Sequence, residues 1–146
     1  MVRRFCFVIV IALLASVLAG AQEQEKTNYH NPNIPEARSD SESKALGYMK
    51  TILYAQDLYR KKHKKFAPSL TALVGSGSFT RRMVKTDRGD YQGSFHPGVS
   101  HFSLEMTPKT LDSTHRAFWV SENRYFHVEE DKPATADSPV LKADSK

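Results

Sequence analysis

Between residues 39 and 130 the spacing of apolar side chains changes once, and the change divides this stretch in two. In the first part Ala45, Met49, Ile52 and Tyr59 recur at helical intervals, with Tyr48 and Ala55 beside them. That period sets them along one side of a helix and predicts an amphipathic helix from about Asp40 to His63. Ser39-Asp40-Ser41-Glu42 has the Ser-x-x-Glu spacing of a capping box at its start. Gly47 costs about 1 kcal/mol relative to alanine, which a stripe of this length tolerates. Arg60-Lys61-Lys62-His63-Lys64-Lys65 ends the run with cations that suit the negative end of the helix dipole, and Pro68 forbids continuation.

After Pro68 the period falls to two. Tyr91, Gly93 and Phe95 share one face of a strand predicted at Asp90–His96, and Phe102, Leu104 and Met106 share one at His101–Thr107. Phe118 and Val120 do the same in Ala117–Ser121, as do Phe126 and Val128 in Arg124–Glu129. The opposite face carries Gln92, Ser94, Ser103, Glu105 and His127, with Trp119 as the exception. Alternation of this kind marks an antiparallel sheet that is wet on one side. Pro97-Gly98 and Glu122-Asn123 fall where turns are required. An apolar sheet face needs a cover, and the helix supplies one. The fold class expected is therefore α+β: one long N-terminal helix packed on a roughly four-stranded antiparallel sheet.

The ends differ from this middle. Residues 1–21 have a basic start at Arg3 and Arg4, an apolar run from Cys6 to Leu18, and small residues at Ala19-Gly20-Ala21, the pattern of a secretory signal cut before Gln22. The apolar run is shorter than the roughly 20 residues that span a bilayer; a retained N-terminal anchor is the alternative. Residues 22–38 read as a flexible leader with Pro32 and Pro35, and residues 131–146 as a flexible tail rich in Pro, Ala, Asp and Ser. Residues 39–130 form the single domain between them.

Removal of 21 of the 146 residues leaves 125, and removal of two arginines lowers the net charge from +5 to +3. That is too mild for a dedicated nucleic-acid binder. The one cysteine, Cys6, lies in the signal, so an exported chain would fold without disulfides and its core must suffice.

Candidate chemistry is sparse. His96 and His101 flank a turn, and His115 and His127 belong to later strands, without cysteines or a His-Glu-x-x-His run. They read as exposed strand and turn positions; a cluster of His96, His101 and His127 on the wet face is the metal alternative. No metal, cofactor or catalytic residue is expected. There is no Gly-x-Ser-x-Gly elbow, Gly75-Ser76-Gly77-Ser78 lacks the lysine of a phosphate loop, and Arg88-Gly89-Asp90 reads as a turn before a strand. Arg60, Lys61, Lys62, Lys64 and Lys65 are the candidate anion contact, against a plain solvated helix end. Trp119, with Tyr125 and His127, is the candidate partner contact, since tryptophan is favoured in binding hot spots. Cover of Trp119 by the C-terminal tail is the competing reading.

One helix, a short Pro-Ser-Leu linker and an antiparallel sheet resemble the layout of type IV pilin and type II secretion pseudopilin heads. ALGYMKTILYAQDLY, residues 45–59, looks like the second half of a pilin helix, and Phe66-Ala67-Pro68-Ser69-Leu70-Thr71-Ala72-Leu73 is similar to the pseudopilin "Y-P-x-S-L-x-x-L" turn. Asp90-Tyr91, a second strand and RAFWVSENRYFHVEE resemble the last sheet of acidobacterial pilin-like proteins, whose hairpin ends "R-x-F-F-x-D-x-x-G-x-I-R" before an Ala/Thr/Ser/Pro tail. The resemblance covers residues 40–141. It implies a head that binds or assembles with other envelope, secretion or pilus proteins. The family's leader, cut after glycine and followed by Phe-Thr-Leu-x-Glu and an apolar helix, has no counterpart: Gly20 is followed by Ala21-Gln22-Glu23-Gln24-Glu25. The expectation is an exported, periplasmic or secreted, non-enzymatic binding or assembly protein. The alternative is a freestanding envelope protein that binds an anionic ligand through the basic helix end, and a hydrolase ranks below both.

Overall fold

The computed structural model describes residues 34–141. The predicted signal at 1–21, the predicted leader up to residue 33 and the last five residues of the tail lie outside the described residues. One helix, α1 at Asp40–His63, is followed by short 3-10 turns at Thr71–Leu73 and Arg81–Val84. Four strands then form one sheet: β1 at Tyr91–Pro97, β2 at Phe102–Pro108, β3 at Ala117–Ser121 and β4 at His127–Glu129. All neighbours are antiparallel and the spatial order is β1-β2-β3-β4, so the α+β class with a four-stranded antiparallel sheet is what the chain adopts.

The start of α1 differs from the expected capping box in one detail. Ser39 is extended, and its hydroxyl accepts the Glu42 amide at 3.2 Å. The Glu42 carboxylate reaches back to the amide of Arg38, at 2.7 Å, rather than to that of Ser39. The helix ends at Lys64, whose left-handed backbone (φ 60°) lets its N–H bond the Arg60 carbonyl. Ala45, Tyr48, Met49, Ile52 and Ala55 are buried, joined by Leu46 and Leu53, whereas Tyr59 is half-buried and stacks on His63.

The sheet's inner face is the one the alternation predicts. Gly93, Met106, Phe118 and Val128 lie in one row across the four strands, and Phe95, Leu104 and Val120 in the next. All of these are buried except Phe95, which is half-buried. Glycine at 93 has a packing reason: a Cβ there would stand 2.8 Å from the Met106 sulfur and 3.0 Å from the Thr86 Cβ. The row would have to spread to admit a side chain. Leu70, Leu73 and Phe79 close the core from the linker.

Two expectations for the chain ends are corrected. The last residues of the leader are held: Ile34 and Ala37 pack on the core, and Arg38 makes a two-pronged pair with Glu130 at 2.7 and 2.9 Å. The tail from Asp131 to Leu141 is held too. The Val128 amide donates to the Pro139 carbonyl at 3.0 Å, and the Leu141 amide to that of Phe126 at 3.1 Å. These bonds extend the sheet beyond β4 and satisfy backbone groups that would otherwise form a bare edge. Ala134 and Ser138, within this return, are buried.

Candidate functional site

The two predicted contact regions fare differently. Register places Ser94, Glu105, Trp119 and His127 in one transverse row on the outer face of the sheet, and Val140 of the tail bridges to His127. His127 is therefore not wet, which corrects its expected place: it is 8% exposed, and its Nδ1 lies 2.6 Å from the Ser138 carbonyl oxygen. The returning tail is the cause. Trp119 is half-buried, edge-on to the His127 ring at 5.0 Å. Tyr125 stays exposed at the β3–β4 turn. The three predicted partner contacts thus do not form one open surface.

The histidines do not gather. His96 pairs with Glu105 at 3.3 Å, His101 lies exposed beyond the β1–β2 turn, and His127 is engaged by the tail. Among the described residues no three ligating side chains are placed to hold a metal ion.

His115 belongs to a different cluster, in the connection from β2 to β3. Its Nδ1 is 2.9 Å from an Asp112 oxygen and its Nε2 is 3.7 Å from Asp90. The Ser41 hydroxyl donates to that same Asp90 carboxylate at 2.5 Å. A serine, a histidine and two aspartates are close, but the serine's proton points to a carboxylate and not to the imidazole. The arrangement is not a serine–histidine relay, in which the base must take the nucleophile's proton directly. It ties the loop before β3 to the first turn of α1.

The basic helix end divides. All five predicted anion contacts, Arg60, Lys61, Lys62, Lys64 and Lys65, are exposed. Only Arg60 and Lys61 face a cleft of about 360 Å³ between the end of α1 and the β3–β4 turn. Lys62 borders a separate pocket of about 300 Å³ with His63 and the Gly75–Gly77 loop, and Lys64 is the helix cap. Leu53, Asp57, Arg60 and Lys61 share one flank of the helix at the three- and four-residue spacing and form one wall. Phe66 and Phe102 form the floor, their rings edge to face at 5.0 Å. Glu122 and Arg124, from the turn, form the other wall.

Each acidic group of the cleft is engaged. Asp57 forms an ion pair with Arg124 across the opening, and a Glu122 oxygen accepts the Phe102 amide at 3.3 Å. The Arg60 guanidinium lies over the Phe66 ring, 5.0 Å from its centroid. Among the described residues neither Arg60 nor Lys61 is paired with a carboxylate. Arg124 holds a left-handed backbone (φ 65°) that an arginine adopts at a steric cost of about 1–2 kcal/mol, which glycine would avoid. The local geometry follows from the turn: the Arg124 amide donates to the Ser121 carbonyl, and Asn123 Oδ1 accepts the Tyr125 amide.

Sequence reasoning singled out Arg60 and Lys61 but missed Asp57, Phe66, Phe102, Glu122 and Arg124. A signal existed for Asp57, which stands three and four residues before Arg60 and Lys61 on the same flank. None existed for the turn residues, which meet the helix only through the tertiary fold. Compared with known proteins, the chain matches no protein-family model, no curated protein and no solved structure.

Proposed function

We propose that this chain is an exported, non-enzymatic binding or assembly protein with a pilin-like head, acting outside the cytoplasm beside a secretion or pilus-like apparatus. The observation that carries this reading is how α1 begins. A polymerising stalk needs its helix to run on out of the head. Here the helix starts at a serine cap, and the preceding residues run back along the hairpin, with Arg38 on Glu130 and the Glu36 carbonyl on Arg116. A head closed at that end suits a diffusible or tethered binding module better than a filament subunit. Among the described residues no helix is long and apolar enough to cross a membrane.

The test is the intact mass of the native protein after soluble periplasm, membrane and medium are separated. The expected species is soluble and begins at Gln22. A membrane-bound species that retains Cys6 to Leu18 would overturn the diffusible form and redirect the search to membrane-anchored complexes.

A second reading, a freestanding envelope protein that binds an anionic ligand, is favoured by a separate observation. Two cations without carboxylate partners stand at the mouth of a cleft. Binding that weakens with added salt supports it.

A further inference from the structure

We infer that the solvent side of α1, with the linker that joins it to β1, forms one basic face that docks on an anionic lipid bilayer. This rests on the anion-binding reading and deepens it: the contact is a surface along the whole helix, not a ligand at its end.

Charge is segregated in this chain far more sharply than its net value suggests. From Ser43 to Thr86 there are ten lysines and arginines and one carboxylate, Asp57. From Asp87 to Leu141 there are five and nine. Asp57 is itself paired with Arg124 of the sheet half. All ten cations of the first stretch are exposed, and among the described residues none of them forms an ion pair. In the second stretch Lys109, Arg116, Arg124 and Lys132 each meet a carboxylate. The helix dipole accounts only for the cations at the end of α1. Lys44 and Lys50 lie in its first half, and Arg81, Arg82 and Lys85 lie in the linker.

The fold gathers these positions. The linker runs back along α1: a Cβ at Gly77 would stand 2.7 Å from the Tyr54 ring, and the Tyr48 hydroxyl donates to the Met83 carbonyl at 2.8 Å. The sheet covers the opposite side of the helix. Gly47 shows that the solvent side is open, since a Cβ there would meet no atom within 4 Å.

Shape and composition favour a plane of lipid over a chain-like polyanion. At 24 residues α1 is about 36 Å long and presents a ridge, whereas single-stranded polyanions are held in grooves. Seven of the ten cations are lysines, point charges on flexible stems that meet scattered phosphates without a fixed fork geometry. Tyr54 and Val74 stand among them at 36% and 38% exposure, beside half-buried Leu58. Apolar and aromatic groups so placed enter the boundary between headgroups and acyl chains.

The experiment is sedimentation of the full exported chain, beginning at Gln22, with vesicles of equal parts phosphatidylcholine and phosphatidylglycerol at fixed ionic strength. Binding should weaken with added salt and be absent on phosphatidylcholine alone. A cation near an anionic bilayer contributes about fivefold, so Lys50→Gln with Lys61→Gln and Lys62→Gln should weaken binding by about a hundredfold. Lys109→Gln with Lys132→Gln, from the other half, should weaken it by less than about twofold. Trp119, the only tryptophan, lies on the outer face of the sheet, so its emission should not change on binding. A Val74→Trp variant should add emission that shifts to the blue.

Equal losses in the two sets of lysine variants would overturn the face, as would a blue shift of Trp119 in the unaltered chain. Binding to heparin, duplex DNA or inorganic phosphate without binding to vesicles would overturn the bilayer and leave the anion-binding reading standing. No binding to any of these at low salt would remove both. The vesicle comparison needs no variant, so a substitution that failed to fold would not shield the inference.

Discussion

Arg116 and Arg124 stand at the two ends of the β3–β4 hairpin, and each meets a carboxylate of the same helix, Glu42 near its start and Asp57 near its end. The surroundings separate them. The Glu42 and Arg116 side chains are 0% and 5% exposed. One Glu42 oxygen accepts from the Arg116 amide and Nε, and the other from the Arg38 amide and the Arg116 Nη2. Each oxygen thus accepts two hydrogen bonds, which fills the carboxylate's capacity. Arg116 also donates to the Glu36 carbonyl at 2.6 Å, and its own carbonyl takes the Tyr91 hydroxyl at 2.8 Å. Asp57 and Arg124, at 14% and 32%, flank an open cleft beside two cations that lack carboxylate partners. The first pair is a closed joint that fixes where the hairpin sits; the second leaves charge and space for something else.

The largest effect should come from breaking the closed joint. Glu42→Ala leaves a buried guanidinium and two backbone N–H groups without their acceptor, and it should cost about 3–5 kcal/mol in denaturant unfolding. Joint replacement of Glu42 and Arg116 by methionine should recover part of this and not all, because the amides of Arg38 and Arg116 would still lack partners. Acid reports the same joint. Burial alone would raise the Glu42 pKa, but bonds from Arg116 and from the amides of Arg38 and Arg116 hold it below its ordinary 4.5. Its contribution is therefore present above pH 4.5 and is lost as pH falls through the lowered value. A Glu42→Ala loss below about 1 kcal/mol would mean the two ends of the helix are equivalent after all.

Asp57→Asn is the matching change at the open end. A pair with a partly exposed member is worth about 1 kcal/mol or less, so unfolding should shift by no more than that. Binding of a small anion, read with inorganic phosphate, should change more visibly than stability, because release of Arg124 adds an uncompensated cation to the cleft. Tighter binding with almost unchanged stability is the expected pattern. A stability loss as large as that of Glu42→Ala would make the Asp57 pair a second structural joint and remove the distinction.

Arg124→Gly sharpens the contrast further. It removes the ion pair, which destabilises, and it relieves the left-handed backbone at φ 65°, which stabilises. Loss of the pair costs about 1 kcal/mol or less, and relief of about 1–2 kcal/mol of backbone cost is partly offset by the extra freedom glycine loses on folding, so the measured change in stability should lie within about 1 kcal/mol of zero. A loss above about 2 kcal/mol would show that Arg124 is needed to hold the turn.

These two joints also mark what was legible before the structure. The helix from Asp40 to His63 and the inner face of the sheet follow from spacing alone, because burial leaves a period in the sequence. β1 and β2 lie one residue later than predicted, β3 keeps its predicted bounds, and β4 begins only at His127 because Arg124 and the Asn123–Tyr125 contact consume the residues before it. Glu42 was read as a capping residue, and it does bond a nearby backbone N–H. Its place three residues before Ala45, on the buried flank, hinted at more, but a partner 74 positions away has no local signature. The tail was misread for a similar reason. Pro, Ser and Asp suggest a frayed end, whereas Val128 and Leu141 bond through backbone groups that composition does not report. At the cleft only the wall on α1 could be read; the wall from the turn exists because the sheet folds back onto the helix.

The smallest effect concerns the loop that joins β2 to β3 and rests near the closed joint. The Asp112 carboxylate is drawn down to about 2 by the Thr114 hydroxyl, by His115 and by the Thr114 amide. The bond to Asp112 raises His115 above 6.5, aided by the charges of Asp112, Asp90 and Glu42 and opposed by burial. A raised imidazole stabilises fully below its unfolded value of 6.5 and ceases to as pH rises through the folded midpoint. A lowered carboxylate stabilises above 3.8 and ceases to as pH falls toward about 2. The pair therefore contributes most between pH 3.8 and 6.5. Because Asp112 faces solvent, the readout should be titration and not unfolding. NMR of the His115 ring should give a midpoint above 6.5 that falls back toward that value in Asp112→Asn, while the buried Glu42 joint is unchanged. A His115 midpoint indifferent to Asp112→Asn would mean that the loop is not held by this pair, and that its position rests on the Asp90 contacts and the Arg116 end of the hairpin.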